Sequence, residues 1–154
     1  MNDTVKILKT EIDKIGQEVV VKYCNRVGQG PGQLMSFYYR QKADLIDDGF
    51  SGSEVGITNS CQAVYLEIDS IVVGHILFEL FKDEYRTFIV LSAVAKEYRN
   101  RGLYKIMHYA YEDISRELGA RVISSLIHVN NTVRLKTAES VGFMPQYYRM
   151  RKVL

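Results

Sequence analysis

The residues of this chain best suited to chemistry form a short basic loop, Arg99 to Gly102, that lies between an apolar strand and an amphipathic helix. The first N–H groups of a helix lack partners inside the helix and, together with the helix dipole, favour a bound anion. Gly102 has no Cβ, so a ligand can approach the backbone closely. Arg99 and Arg101 add positive charge that suits phosphate. The loop therefore predicts a phosphate-binding site at the start of the helix.

Two strands and two helices surround this loop in the predicted fold. A strand over 85–94 enters the loop, and a helix over 103–118 leaves it. A second strand over 122–129 follows, and the residues at 130–131 begin a shorter helix that ends near Gly142. A strand, a crossover helix and another strand imply a parallel pair. The loop is therefore expected at the carboxyl end of one of two parallel strands.

The N-terminal part of the chain is predicted to be mainly helical. Residues 4–10 fit either a strand or the start of a helix. From Glu11 to Val27 apolar residues recur every three or four positions, which predicts a helix. Glycines at 28–32 end it, and a second helix is predicted over 33–48, followed by a loop over 49–59.

The middle of the chain predicts an antiparallel meander, because three apolar segments follow one another with short turn-like connections. The strands are expected over 62–68, 71–81 and 85–94, and a last strand over 146–153. The predicted fold class is α/β: a single mixed central sheet with helices on both faces, built from N-terminal helices, the meander and a βαβ-type parallel pair. With 154 residues, the chain is expected to form one domain over 1–154.

The order and spacing of these motifs resemble the GNAT superfamily of N-acetyltransferases. In that family a loop of the type Arg/Gln-x-x-Gly-x-Gly/Ala binds the pyrophosphate of acetyl-coenzyme A (acetyl-CoA). Residues 99–104 follow this pattern except at the second small residue, where Tyr104 keeps its backbone N–H but leaves a tighter space. An Asn followed by Gly-Phe, here Asn131 and 142–143, lines the pantetheine arm. The resemblance covers roughly residues 60 to 143 and implies a GNAT-like fold. It also implies an enzyme that transfers an acetyl group from acetyl-CoA to a primary amine by direct attack.

The resemblance also implies which residues hold the cofactor. In the family the two parallel strands separate, and the pantetheine arm fills the gap like an added strand. The backbone at Ala93 and Val94 would pair with pantetheine, and the Val94 N–H is assigned to the thioester oxygen, a role typically worth a few kcal/mol. Asn131 is explained equally well as a helix N-cap. The remaining cofactor-binding residues are Arg99, Asn100, Arg101, Gly102, Leu103 and Tyr104.

The base that deprotonates the amine is chosen from three residues. An amine with a pKa of about 10.4 must lose a proton before it attacks. His128 is assigned as the catalytic base over Ser92 and Glu97, because its unperturbed pKa suits a base near neutral pH. A histidine bonded to backbone at a strand end is the more common alternative.

The acid that protonates the leaving thiolate is missing from its usual position. Many family members place a tyrosine there, and the matching residue of this chain is Ala138. A general acid contributes about 10² to 10⁴-fold, so its loss should slow the reaction rather than prevent it. Water is the favoured proton source, and the tyrosines that could replace it are Tyr104, Tyr147 and Tyr148.

Composition indicates which classes of binding partner are not expected. A net charge of +2 with scattered basic residues does not predict nucleic-acid binding. Cys24 and Cys61 are expected to be buried thiols, since no metal-ligand spacing surrounds them, and no metal is expected. Without an apolar signal core or a membrane-length apolar run, the chain is expected to be cytoplasmic and not to act at a membrane. The amine acceptor, the size of the acyl group and a homodimer are left open.

Two other functions are left open by the sequence. The first is a non-catalytic coenzyme A-binding GNAT-fold module that serves as a sensor or partner protein, which Ala138 and the lack of a carboxylate within the 85–94 strand favour. The second is a nucleotide-binding domain. It is disfavoured, because the chain has neither Gly-x-x-x-x-Gly-Lys-Ser/Thr nor Gly-x-Gly-x-x-Gly.

Overall fold

The computed structural model of the chain describes residues 4–47, 56–127, 130–147 and 150–154. Six strands of this part form one sheet, in the order β1 (Val5–Ile12), β2 (Glu18–Cys24), β3 (Gln62–Ile68), β4 (Ile71–Phe81), β5 (Arg86–Val94) and β6 (Val122–Ser125). Neighbouring strands are antiparallel from β1 to β5, and β5 and β6 are parallel. The α-helices are α1 (Gly32–Asp47), α2 (Leu103–Glu117) and α3 (Thr132–Ser140).

Two hydrophobic cores cover the two faces of the sheet. On one face α1 buries Leu34 and Phe37 in a cluster with Tyr65 of β3. On the other face α2 buries Met107 and Tyr111 in a cluster that includes strand residues such as Val64, Ile76 and Phe78. Each buried aliphatic or aromatic side chain contributes about 1.5–3 kcal/mol. The predicted α/β class, with one mixed sheet and helices on both faces, is confirmed.

The helix predicted over 11–27 is wrong, because this segment forms the β1–β2 hairpin and the start of the following loop. Asp13 makes the turn: its Oδ1 accepts the N–H groups of Ile15 (3.0 Å) and Gln17 (2.9 Å). Gly16 has a φ of 85°, which suits glycine. In β2 the β-branched Val19 and Val21 are buried on one face, and pairing with β3 outweighs the apolar spacing that fitted a helix.

The other elements match the predicted ones except near the C-terminus. The strands at 62–68 and 71–81 are confirmed, and α1 and α2 begin and end within one residue of their predicted bounds. The strand expected over 122–129 ends at Ser125, although 128–129 lie outside the described residues. No strand is present in the described part of 146–153, where Met150 and Val153 are 88% and 79% exposed. These apolar side chains have no core to enter, so nothing holds the segment against the sheet.

Candidate functional site

β5 and β6 separate into a fork. They pair only from Arg86 opposite Val122 to Ile89 opposite Ser125. β6 ends there, whereas β5 continues to Val94 and stays paired with β4 along its other edge. The β6-facing edge of 90–94 therefore has no strand partner among the described residues. Backbone groups left open in this way can pair with an extended ligand, as in strand addition.

A β-bulge lies where the fork opens. Leu77 of β4 pairs with Leu91 and Phe78 pairs with Ile89, so Val90 is an extra residue in β5. A bulge bends its strand and increases the local twist. The end of β5 is therefore turned relative to its first half, at the point where its pairing with β6 stops.

The Val94 N–H points into the fork. The next N–H along the chain, that of Ala95, donates to the Val73 carbonyl of β4 at 2.9 Å. Successive N–H groups of a strand point to opposite edges, so the Val94 N–H is directed away from β4. The Val94 carbonyl points the same way and accepts the Nε–H of Arg99 at 3.1 Å. A backbone donor is thus held in the fork, directly before the basic loop.

The loop between β5 and α2 exposes an uncapped helix N-terminus. After a single 3-10 turn at Lys96–Tyr98, Asn100 and Gly102 adopt left-handed φ values of 64° and 77°. Gly102 is the N-cap residue of α2, and no side chain caps this end. The first N–H groups of α2 are therefore available to an anion that lies beside Gly102.

Arg101 connects this loop to the β1–β2 hairpin. Its Nη1 donates to Oε1 of Gln17 at 3.1 Å and lies 3.9 Å from Oδ2 of the buried Asp13. Its guanidinium also lies over the Tyr98 ring, 4.8 Å from the centroid. Arg99 is likewise held through its Nε by Val94. Both arginines therefore help to shape the loop besides adding positive charge to it.

Lys14 is a basic residue of the site that the sequence pattern did not reveal. Its N–H donates to the Arg101 carbonyl at 3.2 Å. A Cβ at Gly102 would lie 3.3 Å from Cε of Lys14, so the lysine chain covers this glycine. The helix predicted over 11–27 hid this contact, since only the hairpin turn brings Lys14 to the loop.

α3 and the residues that follow it pack beside α2. Asn131 is its N-cap, and the Asn131 Oδ1 accepts the Arg134 N–H at 3.2 Å. At the other end, the Phe143 N–H donates to the carbonyl of the buried Ala138 at 3.1 Å. The Phe143 ring lies 5.6 Å from the His108 ring of α2, which joins the two helices. The N-cap role of Asn131 is thus present, and its contact with pantetheine stays a prediction.

A buried polar cluster lies between β5, α2 and α3. It consists of Ser92, Tyr104, His108 and Arg134. The Arg134 guanidinium carbon lies 5.3 Å from the Tyr104 ring centroid, and the Tyr104 and His108 rings stack with centroids 5.9 Å apart. Each member has at least one buried polar atom without a hydrogen bond to another described residue. Such groups are uncommon in native proteins and suggest a site for polar chemistry.

Burial determines the protonation of this cluster. Burial raises the pKa of Tyr104, and Arg134 and Ser92, which lie beside its hydroxyl, lower it in part. Burial, followed by the charge of Arg134, lowers the pKa of His108 to about 4. At neutral pH Tyr104 therefore keeps its proton and His108 is uncharged. His108 is 1% exposed, and its ring packs against that of Phe143.

The other candidates for proton transfer are either exposed or outside the described residues. The predicted base, His128, and Tyr148 lie outside the described residues. Glu97 is exposed in the loop, and Tyr147 is 91% exposed. Of the side chains proposed from sequence for proton transfer, the structure brings Ser92 and Tyr104 together near the fork.

Metal-binding clusters and membrane-spanning helices are both absent from the described ranges. No group of three or more His, Cys, Asp or Glu that could hold a metal ion occurs there. None of the helices within those ranges has the length and apolar character needed to cross a bilayer. Cys24 and Cys61 are free and buried, as expected from their spacing.

Known structures resemble this fold at low sequence identity. An aminoglycoside acetyltransferase from an uncultured soil metagenomic sample, in complex with sisomicin, has a TM-score of 0.64 and 13% identity, over 88% of this chain and 96% of that one. The aminoglycoside N-acetyltransferase AAC(6')-Iy in complex with CoA has a TM-score of 0.60 and 16% identity, over 89% and 97%. A ribosomal-protein-alanine N-acetyltransferase from Brucella melitensis biovar Abortus 2308 has a TM-score of 0.64 and 10% identity, over 88% and 99%.

Sequence comparison identifies the family. A search of curated proteins finds no match. A model of the acetyltransferase (GNAT) family, however, matches residues 33–143, which include α1, the fork, the basic loop and α3. This match covers well over half of the chain, and the similar solved structures share the fold. The chain therefore belongs to the GNAT family of acetyltransferases.

Proposed function

We propose that this protein is an N-acetyltransferase that transfers the acetyl group of acetyl-CoA to a primary amine by direct attack. The observation that carries the proposal is the continuity of the fork with the uncapped N-terminus of α2. The fork offers backbone to an extended arm, and the loop offers N–H groups to an anion. Pantetheine joined to a diphosphate has both features.

The cofactor is proposed to bind along this path. Its diphosphate lies on the first N–H groups of α2 beside Gly102, with Lys14 adding charge from the hairpin. Its pantetheine arm pairs with the open edge of 90–94, as an added strand does. Solved structures of similar fold contain CoA, which supports this cofactor.

The Val94 N–H is proposed to stabilise the charge that develops during the reaction. The amine nitrogen attacks the thioester carbon, and the carbonyl oxygen becomes negative in the tetrahedral intermediate. The direction of this N–H into the fork, with Arg99 holding the carbonyl of the same residue, supports its role as the oxyanion donor. A fixed donor of this kind typically contributes a few kcal/mol to the rate. His128 remains the proposed base for the amine.

The acceptor is proposed to be a primary amine on a small molecule or a protein terminus. The proteins of similar fold include an aminoglycoside acetyltransferase in complex with sisomicin and a ribosomal-protein-alanine N-acetyltransferase, which supports these two classes of acceptor. A panel of aminoglycosides, polyamines and peptides with free N-termini covers these two classes. The expected result is thiol release from acetyl-CoA with at least one class.

Thermal shift tests cofactor choice before any acceptor is known. Acetyl-CoA should raise the melting temperature, because it binds only the folded loop and fork. ATP offers phosphates without a pantetheine arm and should give a much smaller shift at the same concentration. An equal shift with ATP would contradict the pantetheine path and would favour a nucleotide site.

A non-catalytic coenzyme A-binding module is the second candidate. The buried Ala138 favours it, because no acid can act from this position. Such a module would bind acetyl-CoA as tightly as an enzyme would, yet it would release no thiol with any amine of the panel.

A further inference from the structure

The geometry points to Tyr104 as the general acid that protonates the departing coenzyme A thiolate. Arg134 is a positioning residue, whose positive charge stabilises the phenolate that Tyr104 becomes. This inference rests on the proposed acetyl transfer and deepens it. The usual acid position on α3 is Ala138, which is buried and has no proton to give. A tyrosine from the neighbouring helix reaches the same region instead.

The Tyr104 hydroxyl lies close to the expected thioester. Tyr104 is in the first turn of α2, and its hydroxyl lies beside Ser92. Ser92 belongs to the unpaired half of β5, two residues before Val94, whose N–H points into the fork. A thioester that places its oxygen at Val94 therefore has its sulfur within the same part of the fork as Tyr104. Tyr147, by contrast, is 91% exposed on the C-terminal segment.

Arg134 supplies the charge that this step needs. Its two terminal nitrogens are buried beside the Tyr104 hydroxyl, and among the described residues no carboxylate pairs with them. A buried cation without a counter-charge is costly, so it favours any negative charge that forms beside it. Its guanidinium carbon lies 5.3 Å from the centre of the Tyr104 ring. The phenolate left after proton donation would form at this point.

The proton balance of the step is complete. The amine nitrogen forms a bond to the thioester carbon, and the carbon–sulfur bond then breaks with its electron pair on sulfur. The Tyr104 O–H gives its proton to sulfur, which leaves as the thiol. Arg134 and Ser92 stabilise the phenolate. The proton that the amine has released then restores the Tyr104 hydroxyl. No oxidant, metal or other co-reactant takes part.

The first test compares turnover in three proteins: wild type, Tyr104→Phe and Tyr109→Phe. Tyr109 is a matched control, because it lies on the same helix but is 49% exposed. Ser92 and Arg134 lie beside the Tyr104 hydroxyl, but among the described residues no atom completes a well-aligned hydrogen bond with it, so its removal should leave the fold largely intact. We expect kcat of Tyr104→Phe to fall about 100-fold, while the Kd for acetyl-CoA changes less than about twofold. A loss of affinity with unchanged kcat would make Tyr104 a binding residue and would overturn the inference.

Arg134 variants separate charge from packing. Arg134→Gln removes the charge, and Arg134→Lys keeps it. We expect kcat to fall about tenfold in the Gln variant, roughly 1.4 kcal/mol of transition-state stabilisation, and to recover in part with Lys. Equal losses in the two variants, or a change in KM alone, would contradict the positioning role.

A titration of bound coenzyme A needs no acceptor amine. The ultraviolet absorbance of the thiolate reports the thiol pKa in the complex. A hydrogen bond from Tyr104 stabilises the thiolate, so the pKa should lie below about 8.5 in wild type and Tyr109→Phe and rise in Tyr104→Phe. The same pKa in all three would refute the inference while the proposed function stands. A failure of coenzyme A to bind wild type would refute the proposed function, and the inference with it.

Discussion

The basic loop and α3, the two regions of the candidate site, are built by different means. The loop at 99–102 acts through its backbone, because its key features are the left-handed φ of Gly102 and the uncapped N–H groups of α2. It is held from outside by the β1–β2 hairpin, through Lys14 and Arg101. α3, in contrast, caps itself with Asn131 and contributes side chains. A site made of backbone groups requires a local sequence motif, whereas the role of a side chain can be filled by a residue on another helix.

The difference matters most at Ala138 and Arg134. Ala138 occupies the position where the resemblance expects an acid, and it is a buried residue of α3. Arg134, one turn earlier, reaches across to Tyr104 of α2. The basic loop therefore keeps the arginine and glycine of the family pattern, whereas α3 lacks the expected acid, and the proposed proton donor is Tyr104 of α2.

Substitution of Gly102 should cause the largest effect on the loop side. A valine at a φ of 77° is strained, and its Cβ would press on Lys14 at 3.3 Å. We expect the Kd for acetyl-CoA to rise at least about 100-fold, close to 2.7 kcal/mol, as measured by calorimetry.

Gly119→Val is the matched control for this variant. Gly119 has a φ of 91° at the other end of α2, and nothing lies within 4 Å of its Cβ position. Both variants should lose stability through backbone strain, but only Gly102→Val should lose binding. Equal affinity of the two variants for acetyl-CoA would remove the anion site from this loop.

Acid should weaken the α2–α3 junction, where the buried His108 lies. Its pKa is about 4 in the folded protein and about 6.5 when unfolded, so the unfolded chain takes up the proton first as the pH falls. Stability is therefore fully present above pH 6.5 and is lost towards pH 4, by up to about 1.4 kcal/mol per pH unit.

His108→Phe should reduce this loss, because phenylalanine has no proton to take up. Chemical unfolding of both proteins at pH 7 and pH 5 measures the effect. Arg134 and Glu112 face His108, and Glu112 lies 3.3 Å from its Nε2. Acid sensitivity that is identical in the two proteins would show that Glu112 compensates for the protonation. The remaining His75, whose pKa burial lowers to about 3, should still contribute to both curves.

Lys14→Gln should weaken the loop side without breaking it. The residue adds one exposed charge beside Gly102, so its loss should raise the Kd for acetyl-CoA about tenfold at low salt and less at high salt. Lys6→Gln changes a lysine of the same hairpin that pairs with Glu117, and it should leave binding unchanged. If both variants bind equally well, the hairpin only supports the loop.

Variants of Asn131 give the smallest expected change and test the α3 side. Asn131→Ala should lower the unfolding free energy by about 1 kcal/mol, since the N-cap bond to Arg134 is lost. Asn131→Ser keeps a capping oxygen and should restore stability, while it removes the amide group. A Kd for acetyl-CoA in the Ser variant as weak as that of Gly102→Val would show that both sides bind the cofactor equally.

The local pattern of residues was sufficient to predict much of the fold and to single out the basic loop. β3 and β4 follow from apolar segments bounded by turns, and α2 from its amphipathic spacing. The basic loop was predictable because its chemistry belongs to adjacent residues and to the backbone. Helix N-terminus and glycine can both be recognised in a short stretch of sequence.

Tertiary structure decided the rest. Residues 11–27 have apolar spacings that fit a helix, but pairing with β3 and the Asp13 turn make them a hairpin, which carries Lys14 to Gly102. Tyr104 and Arg134 are thirty positions apart on separate helices, and only the packing of α2 and α3 beside β5 brings them together. Sequence by itself predicted the basic loop as a phosphate site, because that prediction depends only on adjacent residues and their backbone. The proposed acid depends on side chains from distant parts of the chain, so only the folded structure could suggest it.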